Sequence, residues 1–237
     1  MEKVSVVIPT FNRFNYLLNT LESVKSQTYK NIEIIVVNDC SSEKEYYEYD
    51  WKGNNINIIN LPENTKKKFG YACASYVRNQ GIENSNGEYI AFCDDDDIWF
   101  SNKIELQINA MKENNCKMSS TEGLIGAGPY DKNKNYKKYN SEYFFKALEK
   151  KYKNYNISEK GFPKIWDYKF VRTHNSVICS SVVLKRDILE KINNFSIRPP
   201  PGEDYDCWLK ALKNTDSVYV NDICFYYDMR HGKGRNY

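Results

Sequence analysis

The sequence predicts an α/β fold of three layers, with a mostly parallel central sheet, and three observations carry that expectation. Short apolar runs at 4–8, 32–37 and 89–93 read as strands buried on both faces. The first two are joined by a stretch with apolar residues at helical spacing, and strand–helix–strand order calls for a crossover and parallel pairing. The runs end in polar residues at or near Thr10, Asp39 and Asp94, and the crevice outside the carboxyl ends of strands is where open α/β sheets collect ligands.

In chain order, residues 4–8 form a β-branched strand that Pro9 stops, because proline cannot donate to a central ladder. Leu17, Leu21 and Val24 follow at i, i+4 and i+7, the stripe of an amphipathic helix. A second buried strand covers 32–37 and ends in Asn38-Asp39-Cys40-Ser41-Ser42. A short strand over 56–60, a helix over 76–83 and a strand over 89–93 come next, the last announced by Asn86-Gly87 and closed by four aspartates, Asp94 to Asp97. Ser101 is placed to cap a helix that carries Ile104, Ile108 and Met111 on one face. From 123 to 169 the periodicity is poor, and this stretch, rich in lysine and tyrosine, reads as an insertion over the site. Order returns with a strand over 177–184 and a helix over 187–192. Pro199-Pro200-Pro201-Gly202 is then a hard break, after which Glu203 and Asp204 open an amphipathic helix through Trp208 and Leu212. One domain over 1–237 is expected, in two halves at 1–115 and 116–237.

Composition narrows the function. Thirty-four basic against 31 acidic residues give a formal charge of +3, too little to wrap nucleic acid, so no nucleic-acid partner is expected. Seven cysteines without a paired C-x-x-C suit a reducing compartment, where most act as small buried apolar residues. No run of about 18 apolar residues exists, so no transmembrane segment is expected and the placement reads as cytoplasmic, any membrane association being peripheral.

Four consecutive aspartates after a buried strand repel one another and lose solvation, which calls for a compensating cation. Mg²⁺ or Mn²⁺ fits, since these hard ions take one or two carboxylates and fill the rest of their shell with substrate phosphates. Asp94 and Asp96, two apart, are the natural pair, against the plainer reading of a solvated turn in which Asp97 caps the next helix. Asp39 suits either an Asx-turn or the N–H of a uracil-type ring, with Pro9, Thr10 and Phe11 beside it as backbone edge and stacking face. Arg78, at the start of a helix, can pair with phosphate or with the acidic run. His231, in Arg230-His231-Gly232-Lys233-Gly234, belongs either to a segment folding over a diphosphate or to a basic tail.

These residues together resemble the family 2 glycosyltransferases of the GT-A fold. The run Val4-Ser5-Val6-Val7-Ile8-Pro9-Thr10-Phe11-Asn12-Arg13 resembles their first strand and donor loop, and Glu33-Ile34-Ile35-Val36-Val37-Asn38-Asp39 their second strand. Arg78-Asn79-Gln80-Gly81-Ile82 and Gly87-Glu88-Tyr89-Ile90-Ala91-Phe92 lead into the acidic run, and Asp97-Ile98-Trp99 follows it, in the family's order. The likeness is strong to about residue 115 and resumes more loosely at 176–195 and 203–209. It implies a GT-A, Rossmann-like fold and an inverting transfer from a nucleotide sugar, UDP- or dTDP-linked, to a hydroxyl on a glycan, lipid-linked or protein acceptor. By the same resemblance, Pro9, Thr10, Phe11, Arg13, Asp39, Arg78, Asp94 and Asp95 would form the donor site, Asp96 and His231 the metal site for Mn²⁺ or Mg²⁺, and Asp204 the base. Cys40 and the contiguous Arg230-His231 depart from the family pattern. Two rivals are a nucleotidyltransferase, disfavoured because the loop after the first strand lacks glycine, and a non-catalytic glycan- or partner-binding module on the same fold.

Overall fold

The computed structural model describes residues 1–231. Its first half contains β1 (Val4–Thr10), α1 (Phe14–Lys25), β2 (Ile32–Asn38), α2 (Glu45–Glu48), β3 (Ile56–Asn60), α3 (Thr65–Phe69), α4 (Ala74–Glu83), β4 (Tyr89–Phe92), β5 (Ile98–Trp99) and α5 (Lys103–Glu113). The remainder contains β6 (Met118–Gly126), β7 (Lys137–Lys138), α6 (Phe145–Lys151), α7 (Ile157–Lys160), β8 (Ile165–Trp166), α8 (Tyr168–Thr173), β9 (Val183–Lys185), α9 (Arg186–Lys191), α10 (Glu203–Ala211) and β10 (Ser217–Asp228).

One sheet runs in the order β3-β2-β1-β4-β9-β6-β10-β5, with β7 beside β6 and β8 beside β10. The pairs among β1 to β4 are parallel, as is β6 with β10, while β9 runs antiparallel to both β4 and β6. Period-2 alternation along β1 builds the layers. Val4, Val6 and Ile8 face one core with Leu17, Leu21 and Val24 of α1 and Ile104, Ile108 and Met111 of α5. Val7 turns the other way, into a core shared with Ile82 of α4 and Trp208 of α10. Helix α4 lies so close to the sheet that a Cβ at Gly81 would meet Val7 Cγ1 at 2.4 Å.

Three expectations need correction. Ser101 does not cap α5: the N-cap position falls to Asn102, and the orphan N–H of Ile104 is taken by Gln27 Oε1 at 3.1 Å from α1's end, a tertiary substitute for a local cap. Nor does Asp97 cap it, since its Oδ1 accepts the N–H of Asp228 at 3.0 Å and fixes the end of β10. The strand expected over 177–184 shrinks to β9, after a 3₁₀ turn at Cys179–Ser181. There Ser181 Oγ donates to Ile178 O at 2.6 Å, the local side-chain bond by which serine competes with a ladder.

The poorly periodic middle contributes to the core. Leu148, Tyr152 and Ile157 are buried in the same core as Phe170 and Trp208, and residues 123–126 are the end of the long strand β6. Among the described residues no helix is long and apolar enough to cross a membrane. All seven cysteines are free thiols, and all but Cys40 are buried.

Candidate active site

The carboxyl ends of β1, β2 and β4 lie side by side, with Thr10 in register with Asn38 and the N–H of Asp39 donating to Thr10 O at 2.9 Å. A cleft of ≈ 540 Å³ opens there, bounded on its far side by the start of α10. Pro9, Arg13, Arg78, Asp94, Asp95, Asp96, Asp204 and His231 all line it.

The acidic run is divided between two arginines. Arg78 Nη2 pairs with Asp94 Oδ1 at 2.6 Å, leaving Arg78 Nε and Nη1 buried and without a hydrogen-bond partner among the described residues. Arg13 pairs through Nη1 with Asp96 Oδ2 at 2.7 Å and through Nη2 with Asp95 Oδ1 at 3.3 Å, and Nη1 also donates to His231 O at 3.0 Å. Asp95 and Asp96 have side chains only 1% and 5% exposed, whereas that of Asp94 is 30% exposed, so Asp94 is the carboxylate most open to the cleft. Burial raises the pKa of Asp95, Asp96 and Asp97, and mutual repulsion within the run adds to it.

Across the cleft Asp204 sits in the first turn of α10, entered through Gly202, whose φ of +96 suits a residue without Cβ. Burial pushes its carboxyl up to about 6, while the Arg78 guanidinium pulls in the opposite direction. Its Oδ1 accepts the N–H of Tyr205 at 2.7 Å. Asp206 is spent elsewhere, on Lys210 Nζ and Ser196 Oγ, both at 2.8 Å, and does not line the cleft. Glu203 does line it.

Three expected donor residues are not at the cleft wall. Thr10 is fully buried, its hydroxyl 2.5 Å from that of Tyr46. Asp39 is also fully buried, with Oδ1 accepting the N–H of Thr65 at 2.8 Å and Oδ2 the hydroxyl of Thr65 at 2.6 Å, an internal tie between β2 and α3. Phe11 is half-buried in the loop between β1 and α1 and likewise lies off the cleft lining. His231 lines the cleft with its ring edge-on to Tyr227, centroids 5.8 Å apart, but among the described residues no three His, Cys, Asp or Glu side chains are grouped to hold a metal ion. Gly232, Lys233 and Gly234 lie outside the described residues.

The family model for "Glycosyl transferase family 2" matches residues 5–169. The chain belongs to that family. Among relatives of this family 2 chain, the putative teichuronic acid biosynthesis glycosyltransferase TuaG of Bacillus subtilis is 34% identical over 227 residues, covering 93% of this chain and 76% of TuaG. The UDP-Glc:alpha-D-GlcNAc-diphosphoundecaprenol beta-1,3-glucosyltransferase WfaP of Escherichia coli is 31% identical, covering 98% of this chain and 79% of that protein. An uncharacterized glycosyltransferase of Rickettsia bellii reaches 46% identity over half of this chain, and the match spans only 16% of its own length. The crystal structure of S. aureus TarS 1–349 in complex with UDP-GlcNAc superposes with a TM-score of 0.72 at 18% identity, covering 99% of this chain and 62% of that one, which establishes the GT-A fold.

Lys66 and Tyr71, from α3 and the turn after it, and Tyr227 of β10 also line the cleft and were not foreseen. The lysine run at 66–68 was a visible signal for the first. Tyr227 had none, because its strand was not recognised.

Proposed function

We propose that this family 2 chain transfers a sugar, with inversion, from a UDP- or dTDP-linked donor to a hydroxyl on a glycan, lipid-linked or protein acceptor, with Mn²⁺ or Mg²⁺ beside the donor diphosphate. The observation that carries this reading is one cleft lined by Asp94, Asp95 and Asp96 from the first half of the chain and by Asp204 from the second. We assign donor binding to residues 1–115 and acceptor binding to 116–237. The crystallised TarS complex with UDP-GlcNAc supports a uridine donor, and the name of WfaP supports a lipid-linked diphosphate acceptor. Such an acceptor would place the protein at the cytoplasmic face of a membrane.

The donor set fits a shared cation rather than a protein-held one. The carboxylates of Asp95, Asp94 and Asp228 outnumber the guanidinium of Arg13 around Asp96 and raise its pKa further after burial has done so. No complete ligand group exists among the described residues, so phosphate oxygens must complete the shell, as they do for Mg²⁺. Asp96 and Asp94 would hold the ion, which when bound neutralises charge developing on the leaving diphosphate.

In the step itself, the acceptor oxygen attacks the anomeric carbon from the face opposite the diphosphate. The anomeric C–O bond breaks, and its electron pair departs with the nucleoside diphosphate. Asp204 takes the acceptor proton on Oδ2, since Oδ1 already holds the Tyr205 N–H. A carboxyl near 6 is ionised at neutral pH yet basic enough to share a proton in the transition state. Incubation with UDP- and dTDP-sugars and Mn²⁺ tests the proposal. Slow release of the nucleoside diphosphate, abolished by chelator, is expected; absence of both release and binding for every donor would refute it.

A further inference from the structure

Arg13 already holds the Asp96 carboxylate that the proposed cation would use. Its Nη1 lies 2.7 Å from Asp96 Oδ2 and its Nη2 lies 3.3 Å from Asp95 Oδ1, with all three side chains at most 6% exposed. A hard divalent ion binds carboxylate oxygen at about 2.0–2.1 Å for Mg²⁺. A guanidinium already at hydrogen-bond distance competes with such an ion for Asp96 Oδ2, and the two cations would repel across a poorly solvated site. The backbone carbonyl of Arg13 accepts the N–H groups of Tyr16 and Leu17, both at 3.0 Å, but its side chain makes no cap bond to α1, whose Phe14 N–H goes to Glu43 Oε2 at 2.9 Å. The side chain instead lines the cleft.

We infer that Arg13 is the resident counter-cation of the acidic run, held on Asp95 and Asp96 until a donor diphosphate draws it away, so that divalent-cation binding at Asp96 is conditional on nucleotide. The inference rests on the function proposed above. With Arg13 docked, one of the two buried carboxylate charges is compensated, so the site attracts a second cation less strongly than it would without the guanidinium. A diphosphate offers the guanidinium a bidentate partner at the cleft and adds phosphate oxygens to the ion's shell, so both changes favour the same state. Arg13 is thus a positioning residue whose removal should create metal binding rather than destroy it.

The test is titration of MnCl₂ alone, then with UDP, into wild-type protein, Arg13→Met and Arg13→Met/Asp95→Asn, followed by calorimetry and by thermal melting. Without nucleotide, Mn²⁺ should bind Arg13→Met more tightly than wild type by roughly 5- to 150-fold, the ordinary range of coupling between sites. UDP should strengthen Mn²⁺ binding by a similar factor in wild type and much less in the variants. If uncompensated burial leaves Arg13→Met unfolded, recovery of its melting transition by Mn²⁺ alone is the same positive result, and the double variant, with one buried carboxylate fewer, supplies the affinity. Equal Mn²⁺ affinity without nucleotide in wild type and both variants would overturn the inference. Failure of wild type to bind either UDP or dTDP would instead overturn the proposed function, while the Mn²⁺-only comparison still decides the role of Arg13.

Discussion

Replacing Asp204 by asparagine removes a charge while keeping the size of the side chain, and it should move stability and turnover in opposite directions. The carboxyl is pushed up from its ordinary value of 3.8 to about 6, chiefly by burial. An acid with a raised folded-state pKa ionises more readily in the unfolded chain, so the native state loses stability as pH rises from about 4 through about 6 and stays lower above it. At pH 7 that difference corresponds to about 3 kcal/mol as an upper limit, which asparagine should partly recover. For a chain of this length each 1 kcal/mol is worth roughly 2–4 °C in Tm. Melts of wild type and Asp204→Asn at pH 7 and pH 5 should show a higher Tm for the variant at pH 7 and a gain about half as large in free energy at pH 5. Sugar transfer by the same variant should fall by roughly 10²–10⁴-fold, the worth of a positioned base. Near-normal turnover, or an Asp204→Asn protein less stable than wild type at pH 7, would refute the reasoning.

Other consequences follow from the same geometry. Transfer in the wild type should decline below pH 6 as Asp204 takes up its proton, and Arg78→Met should move that limb upward, because the guanidinium holds the carboxyl down; a pH profile of kcat/KM checks this, and an unmoved limb would contradict it. Asp206→Asn should leave the limb in place and cost at most about 1 kcal/mol, since its partners Lys210 and Ser196 lie on the partly solvated outer side of α10; urea unfolding and initial rates read both. Gly81→Ala should destabilise by about 1–3 kcal/mol, because the added methyl would meet Val7 Cγ1 at 2.4 Å and Val37 Cγ2 at 3.2 Å between α4 and the sheet; an unchanged denaturation midpoint would show that α4 can shift.

Why some of this was legible in the sequence and some not is clearest from individual strands. Strands β1, β2 and β4 announce themselves because they are buried on both faces and carry mostly apolar side chains. Strand β6 hides because Ser119, Ser120, Thr121 and Glu122 are buried in its middle. Glu122 tolerates this by accepting the N–H groups of Gly123, Asn140 and Ser141, the last two from the turn after β7, and such long-range partners leave no periodic trace. Strand β10 is interrupted at Asn221 and Asp222, where its register against β6 shifts, so its two apolar halves do not read as one strand.

The site divides in the same way. The carboxylates ending β4 and the Pro–Gly break before Asp204 are local patterns, and Asp94, Asp95, Asp96 and Asp204, which they marked, line one cleft. Which cation meets which aspartate is decided across 83 positions of chain, from Arg13 to Asp96, and was beyond any local reading. Asp39 shows the converse: its polar strand end was read correctly, but Thr65 supplies the hydrogen bonds that enclose it.

The central claim is that the acidic run binds a nucleoside diphosphate together with a divalent cation. Calorimetric titration of UDP in the presence of Mn²⁺ and in the presence of chelator, on wild type and on Asp96→Asn, tests it most directly. Metal should strengthen UDP binding to wild type by at least roughly ten-fold, and Asp96→Asn should lose most of that gain while still binding UDP weakly. Equal UDP affinity with metal and with chelator, or a metal effect that survives intact in Asp96→Asn, would contradict the account.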